Sequence, residues 1–184
     1  LNRSASGCPK PVEELEDYQI THVFTLQWHI THRCDLHCQH CYDRSLRDDV
    51  SLTQGLDILD QMRKFCLEQH VGGQVSFSGG NPFLHPDFPA LYRAAHERNL
   101  GLAILGNPVS EQQLDDILQI AEPAFFQVSL EGLKAHNDRI RGSGSFASVL
   151  DFLELLRRKD IYSMVMLTLT RDNMDQVLPL AELL

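Results

Sequence analysis

From residue 23 onward the chain alternates between short strand-like and longer helix-like stretches, and this alternation constrains the fold more than any other feature. Residues 23–30 place Phe24, Leu26, Trp28 and Ile30 on one side and Thr25, Gln27 and His29 on the other, the period-2 signature of a strand. Ser51 then caps a helix in which Leu52, Leu56, Leu59, Met62 and Cys66 recur at helical spacing, and Gly72-Gly73 ends it. Further strands are expected at 74–78, 100–105, 125–130 and 161–169, with helices at 86–99, 110–121 and 145–159 and another beginning at 175. Alternating βα units imply parallel strands joined by right-handed crossovers, with helices outside. The expected class is α/β, either a doubly wound sheet or part of a barrel, and in both the functional loops lie at the C-terminal ends of the strands.

Composition agrees with a packed domain. Of 184 residues, 43% are apolar and 22% charged, enough for one full-sized core and inconsistent with bulk disorder. No apolar run approaches the ~18–20 residues that span a bilayer. The net charge of −9 disfavours a protein that grips long stretches of nucleic acid. Residues 1–22 read as a solvated leader, broken by Gly7, Pro9 and Pro11 and carrying Glu13, Glu14, Glu16 and Asp17. Residues 23–184 form the expected core domain. The start at Leu1 and the stop at Leu184 inside an apolar-periodic stretch lead us to expect an excerpt of a longer protein, short of a sixth strand.

Three of the five cysteines, Cys34, Cys38 and Cys41, fall in one loop directly after the first strand, with the spacing C-x3-C-x2-C followed by Tyr42. Three thiolates on a short loop can hold three corners of a [4Fe-4S] cube and leave the fourth iron open to a small chelating molecule. The competing reading is zinc, because His29, His32, His37 and His40 surround the cysteines and a Cys3His site is chemically reasonable. Structural zinc sites usually show paired knuckles, and no second cysteine pair follows here.

This loop after a first strand resembles the signature of the radical S-adenosylmethionine (SAM) superfamily, whose fold is a partial (β/α)6 barrel. The resemblance covers residues 23–184, with about five of the βα units. Ser78-Gly79-Gly80-Asn81-Pro82 stands where the family has Gly-Gly-Glu-Pro, at a place where glycines let backbone approach the SAM ammonium. Asn81 in place of Glu keeps an acceptor and removes a charge, a loss on the order of 1 kcal/mol. Ser129-Leu130-Glu131-Gly132 is similar to the Ser-x-Asp-Gly of members with peptide substrates, which implies Ser129 near the SAM carboxylate or ribose and Glu131 near the ribose hydroxyls. The stretch from His136 to Phe146 resembles the H-x-D-x-x-R-G…G-S-F segment of SPASM-type maturases, which implies Arg141 as a cation for the SAM carboxylate. Asn173 resembles a loop asparagine of the same group. The Gly-Gly-Asn-Pro variant resembles maturases of the thio(seleno)oxazole (selenobiotic) peptide group.

The resemblance implies that Cys34, Cys38 and Cys41 hold a [4Fe-4S] cluster, that SAM chelates it, and that reductive cleavage gives a 5′-deoxyadenosyl radical that abstracts hydrogen from a peptide or protein substrate. A flavodoxin- or ferredoxin-type reductase would supply the electron, in the cytoplasm. Two other functions stand beside this one: radical SAM chemistry on a small molecule in cofactor biosynthesis, and a non-catalytic zinc-stabilised binding module. Of the remaining residues, Cys66 is expected in the core and Cys8 has no assigned role. His22, His70, His96 and His136 are expected at the surface or at helix ends. His29 is expected to face the barrel interior, and Met164 and Met166 are expected to pack.

Overall fold

The computed structural model describes residues 22–43 and 48–184. The expected leader, with Cys8, therefore lies outside the described residues except for His22. Five strands form one parallel sheet: β1 (Val23–Thr31), β2 (Gly72–Gly79), β3 (Gly101–Leu105), β4 (Phe126–Ser129) and β5 (Ser163–Met166). Between them run α1 (Leu52–Gln69), α2 (Phe88–Glu97), α3 (Glu111–Leu118), and the pair α4 (Lys134–Arg141) and α5 (Ser145–Arg158), and after β5 comes α6 (Val177–Leu183). Two single 3-10 turns, Pro82–Leu84 and Met174–Gln176, precede α2 and α6.

The strand order is β1-β2-β3-β4-β5, each strand pairing with the next in sequence. A doubly wound sheet reverses its order partway so that helices cover both faces. An unbroken sequential order with one hand of crossover keeps every helix on the same side, as in a barrel wall. The choice left open by the sequence thus resolves to the barrel type.

The register shows which side chains lie on each face. Trp28 pairs with Phe77, Phe77 with Ile104, Ile104 with Phe126, and Val128 with Val165. These residues and their strand neighbours at i±2 lie under the helices, where Phe88, Leu91, Tyr92, Leu114, Phe152 and Leu156 complete the core. The opposite face carries Thr25, Gln27 and His29, then Gln74, Ser76 and Ser78, then Ala103 and Leu105, then Gln127 and Ser129, and finally Met164 and Met166. His29 accordingly faces the barrel interior. Met164 and Met166 are 38% and 48% exposed, so they do not pack in the core as the sequence led us to expect: their positions lie on the open face of the terminal strand.

The helix starts follow their capping residues. Ser51 and Ser110 each accept from the backbone N–H three residues on, and the glutamines at those positions, Gln54 and Gln113, accept the cap's own N–H in return. Cys66 is 1% exposed on the inner face of α1, as the helical spacing predicts. His22, His70 and His96 are exposed, and His70 ends α1 in the left-handed region. His136 is half-buried in the first turn of α4, where its ring meets Arg139. The strand expected at 161–169 is confined to four residues, because β5 has a partner on one side only among the described residues.

Candidate functional site

The strands deliver their C-terminal ends to one rim, and the cysteine loop lies across it. Its base is tied at both ends. Thr31 donates its hydroxyl to Asp49 (2.6 Å) and accepts from the Arg33 N–H (3.0 Å), while the Arg33 guanidinium meets Asp49 at 2.9 Å. Its far side is held by the Gln39 N–H donating to the Ile140 carbonyl of α4 (2.9 Å).

The glycine stretch after β2 runs beneath this loop. Gly80 N–H donates to Thr31 O (2.9 Å) and Asn81 N–H to Arg33 O (2.7 Å), extending the β1–β2 pairing into the loop. Gly79 has φ +126°, and a Cβ on Gly79 or Gly80 would collide with the carbonyls of Thr31 or Arg33. Glycine is required at both positions because two backbones pass at van der Waals limit. Asn81 is buried; its amide oxygen caps the 3-10 turn through the Phe83 N–H (3.3 Å) and its amide nitrogen donates to Asp35 (3.2 Å).

Cys34 and Cys38 are half-buried and Cys41 is exposed. Burial pushes the Cys38 thiol up, Arg141 opposes this, and Cys34, Cys41 and Glu131 reinforce it. The three sulfurs and the Arg141–Glu131 pair therefore share one electrostatic neighbourhood. Among the described residues no three His, Cys, Asp or Glu side chains are already placed around a single ion.

A polar layer crosses the rim from β4 to the loop. Glu131, 2% exposed, accepts from Arg141 Nη1 (3.1 Å), from the Thr168 N–H (3.1 Å) and meets His40 Nε2 at 3.0 Å. Arg141 Nη2 donates to the Asn107 side-chain Oδ1 (3.4 Å), and the Asn107 side-chain Nδ2 donates to Asp35 Oδ1 (2.6 Å) and to Cys34 Sγ (3.4 Å). Asn173, buried, donates to the carbonyls of Glu131 and Thr168 and closes the layer from the β5 side. Beside it opens a pocket of about 300 Å³ lined by Asp35, Asn107, Ser129, Arg141 and Ser145 among others. Arg141 lines this pocket, and its Nε is buried without a hydrogen-bond partner.

The residues that the resemblance implies for cofactor binding lie at this rim: the three cysteines, Gly79, Gly80, Asn81, Ser129, Glu131 and Arg141, with Asn173 beside them. Glu131 already has three donors, and Asn81 uses its acceptor as a cap. Neither Asn107 nor Asp35 stands out in the sequence as a site residue. A polar pair at the ends of a strand and a cysteine loop gives no periodic signal, and only the fold brings positions 35 and 107 together.

A sequential parallel half-barrel with a three-cysteine loop over its first strand is the partial-barrel architecture that solved structures under 25% identical also show. The family model described as the radical SAM superfamily matches residues 28–184, and the chain belongs to that superfamily. Its cofactors are accordingly a [4Fe-4S] cluster and SAM, which the three cysteines of one loop and the unpartnered Arg141 Nε both fit. The chain is 30% identical over 178 residues to the mycofactocin maturase MftC of Mycobacterium ulcerans, covering 94% of this chain and 47% of that protein. It is 28% identical over 163 residues to the Fe-coproporphyrin III synthase of Methanosarcina barkeri, covering 85% and 40%. Among solved structures, SuiB of Streptococcus suis bound to SAM superposes with a TM-score of 0.71 at 20% identity, covering 92% of this chain and 40% of that one. The chain spans less than half the length of these relatives.

Proposed function

We propose that this chain is the SAM-cleaving core of an enzyme that modifies a peptide or protein. Cys34, Cys38 and Cys41 hold the cluster. When bound, the cluster and SAM supply a 5′-deoxyadenosyl radical that can abstract a substrate hydrogen atom. Gly79 and Gly80 let the backbone beneath the loop run close to SAM, with Asn81 fixing the turn that follows them. Arg141, through its uncommitted Nε–H, and Ser129 meet the SAM carboxylate. Glu131 acts on SAM through Arg141, holding the guanidinium in place from its buried position.

The inner face of the sheet carries the substrate reading. From β1 to β5 its side chains are Val, Thr, Gln, His, Ser, Ala, Leu and Met, with no Lys, Arg, Asp or Glu. Paired donors and acceptors of Gln27, Gln74 and Gln127 suit the amide groups of a peptide. A substrate bearing several carboxylates would call for guanidinium or ammonium groups on that face. The likeness to MftC favours the same reading, and the likeness to Fe-coproporphyrin III synthase favours the small-molecule alternative. The zinc-stabilised module has no such support. A cytoplasmic setting, which keeps thiols reduced, and a flavodoxin- or ferredoxin-type reductant complete the proposal.

The test is anaerobic turnover of the reconstituted protein with SAM, dithionite and, in separate reactions, each member of a panel of short synthetic peptides or a carboxylated tetrapyrrole. The expected result is faster release of 5′-deoxyadenosine with a mass change in a peptide. Stimulation by a carboxylated tetrapyrrole and not by any peptide would overturn the peptide reading while leaving the chemistry intact.

A further inference from the structure

Cys34 differs from an ordinary loop cysteine in what surrounds its sulfur. Sγ lies 3.5 Å from the Leu36 N–H and 3.4 Å from the Asn107 side-chain nitrogen. The second donor comes from a different strand end, 73 residues away. Its orientation is fixed by charge on both sides. The cationic Arg141 donates to the Asn107 oxygen at 3.4 Å, and the Asp35 carboxylate accepts from the nitrogen at 2.6 Å. Flipping the amide would set its nitrogen against a guanidinium and its oxygen against a carboxylate, so the layer holds one orientation. Arg141 in turn is held by the buried Glu131. Asn107 is itself 6% exposed, so water does not compete for its amide.

We propose that Asn107 is a positioning residue that tunes the iron–sulfur centre through an N–H···S bond to Cys34, with Glu131 and Arg141 holding the amide in the donating orientation. Hydrogen bonds to cluster sulfurs stabilise the reduced, more negative state and raise the reduction potential. A part-buried bond acts more strongly than a fully exposed one, because the local dielectric is lower. The consequence is a centre that accepts its electron more readily than three unassisted thiolates would allow. This inference rests on the cluster being held by Cys34, Cys38 and Cys41, and not on the peptide reading.

Two measurements on the reconstituted protein test it, both without SAM. In an EPR-monitored redox titration, Asn107→Leu, which keeps the size and removes the donor, shifts the cluster midpoint to more negative potential, and Asn107→Gln recovers part of the shift. In wild-type protein labelled with nitrogen-15 at asparagine side chains, pulsed EPR of the reduced cluster shows a nitrogen coupling that Asn107→Leu removes. An unchanged midpoint in a fully loaded Asn107→Leu protein overturns the proposal. Should that variant fail to load iron, the labelled wild-type protein decides alone: an iron-loaded wild type with no nitrogen coupling overturns the Asn107 role and leaves the cluster reading standing. A wild type that takes up no iron overturns both.

Discussion

Glu131 and Arg141 are the residues on which the rim depends. Their side chains are 2% and 11% exposed, and each is the other's principal counter-charge. Removing one partner of a buried pair leaves an uncompensated charge, at a cost of about 3–5 kcal/mol. Glu131→Ala is therefore expected to lower unfolding stability by that order in denaturant titrations, and a change under about 1 kcal/mol would show that the pair is not buried as described. The cysteines divide by the same logic of surroundings. Cys34→Ala, Cys38→Ala and Cys41→Ala each abolish cluster loading and SAM cleavage, whereas Cys66→Ala, in the helix-covered core, leaves the iron content unchanged. Iron loss in Cys66→Ala would show that reading of α1 to be wrong. Gly80→Ala places a Cβ against the Arg33 carbonyl, in backbone that cannot rotate aside, so the cysteine loop must lift. The expected outcome is loss of SAM binding by equilibrium dialysis in a protein whose circular dichroism is unchanged.

The elements differ in how far the sequence exposes them. The helix-covered faces of β1, β2 and β4 and the apolar stripes of α1, α2 and α5 are written in periodicity, so their existence and order follow directly. Their ends are less legible: α2 starts two residues later than expected, because Pro82–Leu84 forms a turn of its own under the Asn81 cap. Helix α4 was not anticipated at all. Its only fully buried side chain is Asn137, 0% exposed, which accepts from the Glu131 N–H and donates to Ser145, while the Ile140 carbonyl takes Gln39. A helix held by polar contacts to distant residues has no apolar stripe to read. The candidate site shows the same split. Its cysteines and glycines are legible as spacing, but Asn107 and Asp35 become a site only when β3 and the loop meet. Asp138 joins α4 to α5. The Phe146 N–H foremost, then that of Gly144 and the side chains of Asn137 and Ser145, hold its carboxyl below the usual range. A lowered folded-state value stabilises the fold above the unfolded value and loses that contribution as pH falls through the folded one. Asp138→Asn should thus be less stable than wild type at neutral pH, and the two should converge in acid. A constant difference across the whole pH range would contradict the assignment.

At the scale of the whole molecule, five sequential parallel strands make a half-barrel with one dry, helix-covered face and one open, uncharged face that leads up to the cysteine loop. That division explains why the overall charge of −9 says little about the substrate. Among the described residues most acidic side chains are exposed or half-buried, and the open sheet face is set mainly by Gln, Ser, Thr and Met side chains. Among the described residues no helix is long and apolar enough to cross a membrane. The central claim is that the rim built from β1 to β5 uses three cysteines to cleave SAM. It is tested most directly by anaerobic reconstitution with iron and sulfide, followed by quantification of bound metal and of 5′-deoxyadenosine after reduction in the presence of SAM. The account predicts a brown protein that forms 5′-deoxyadenosine, and a Cys34/Cys38/Cys41 triple alanine variant that holds one cubane's worth of iron less and forms none. A colourless protein that binds about one zinc through these cysteines and leaves SAM intact would contradict it.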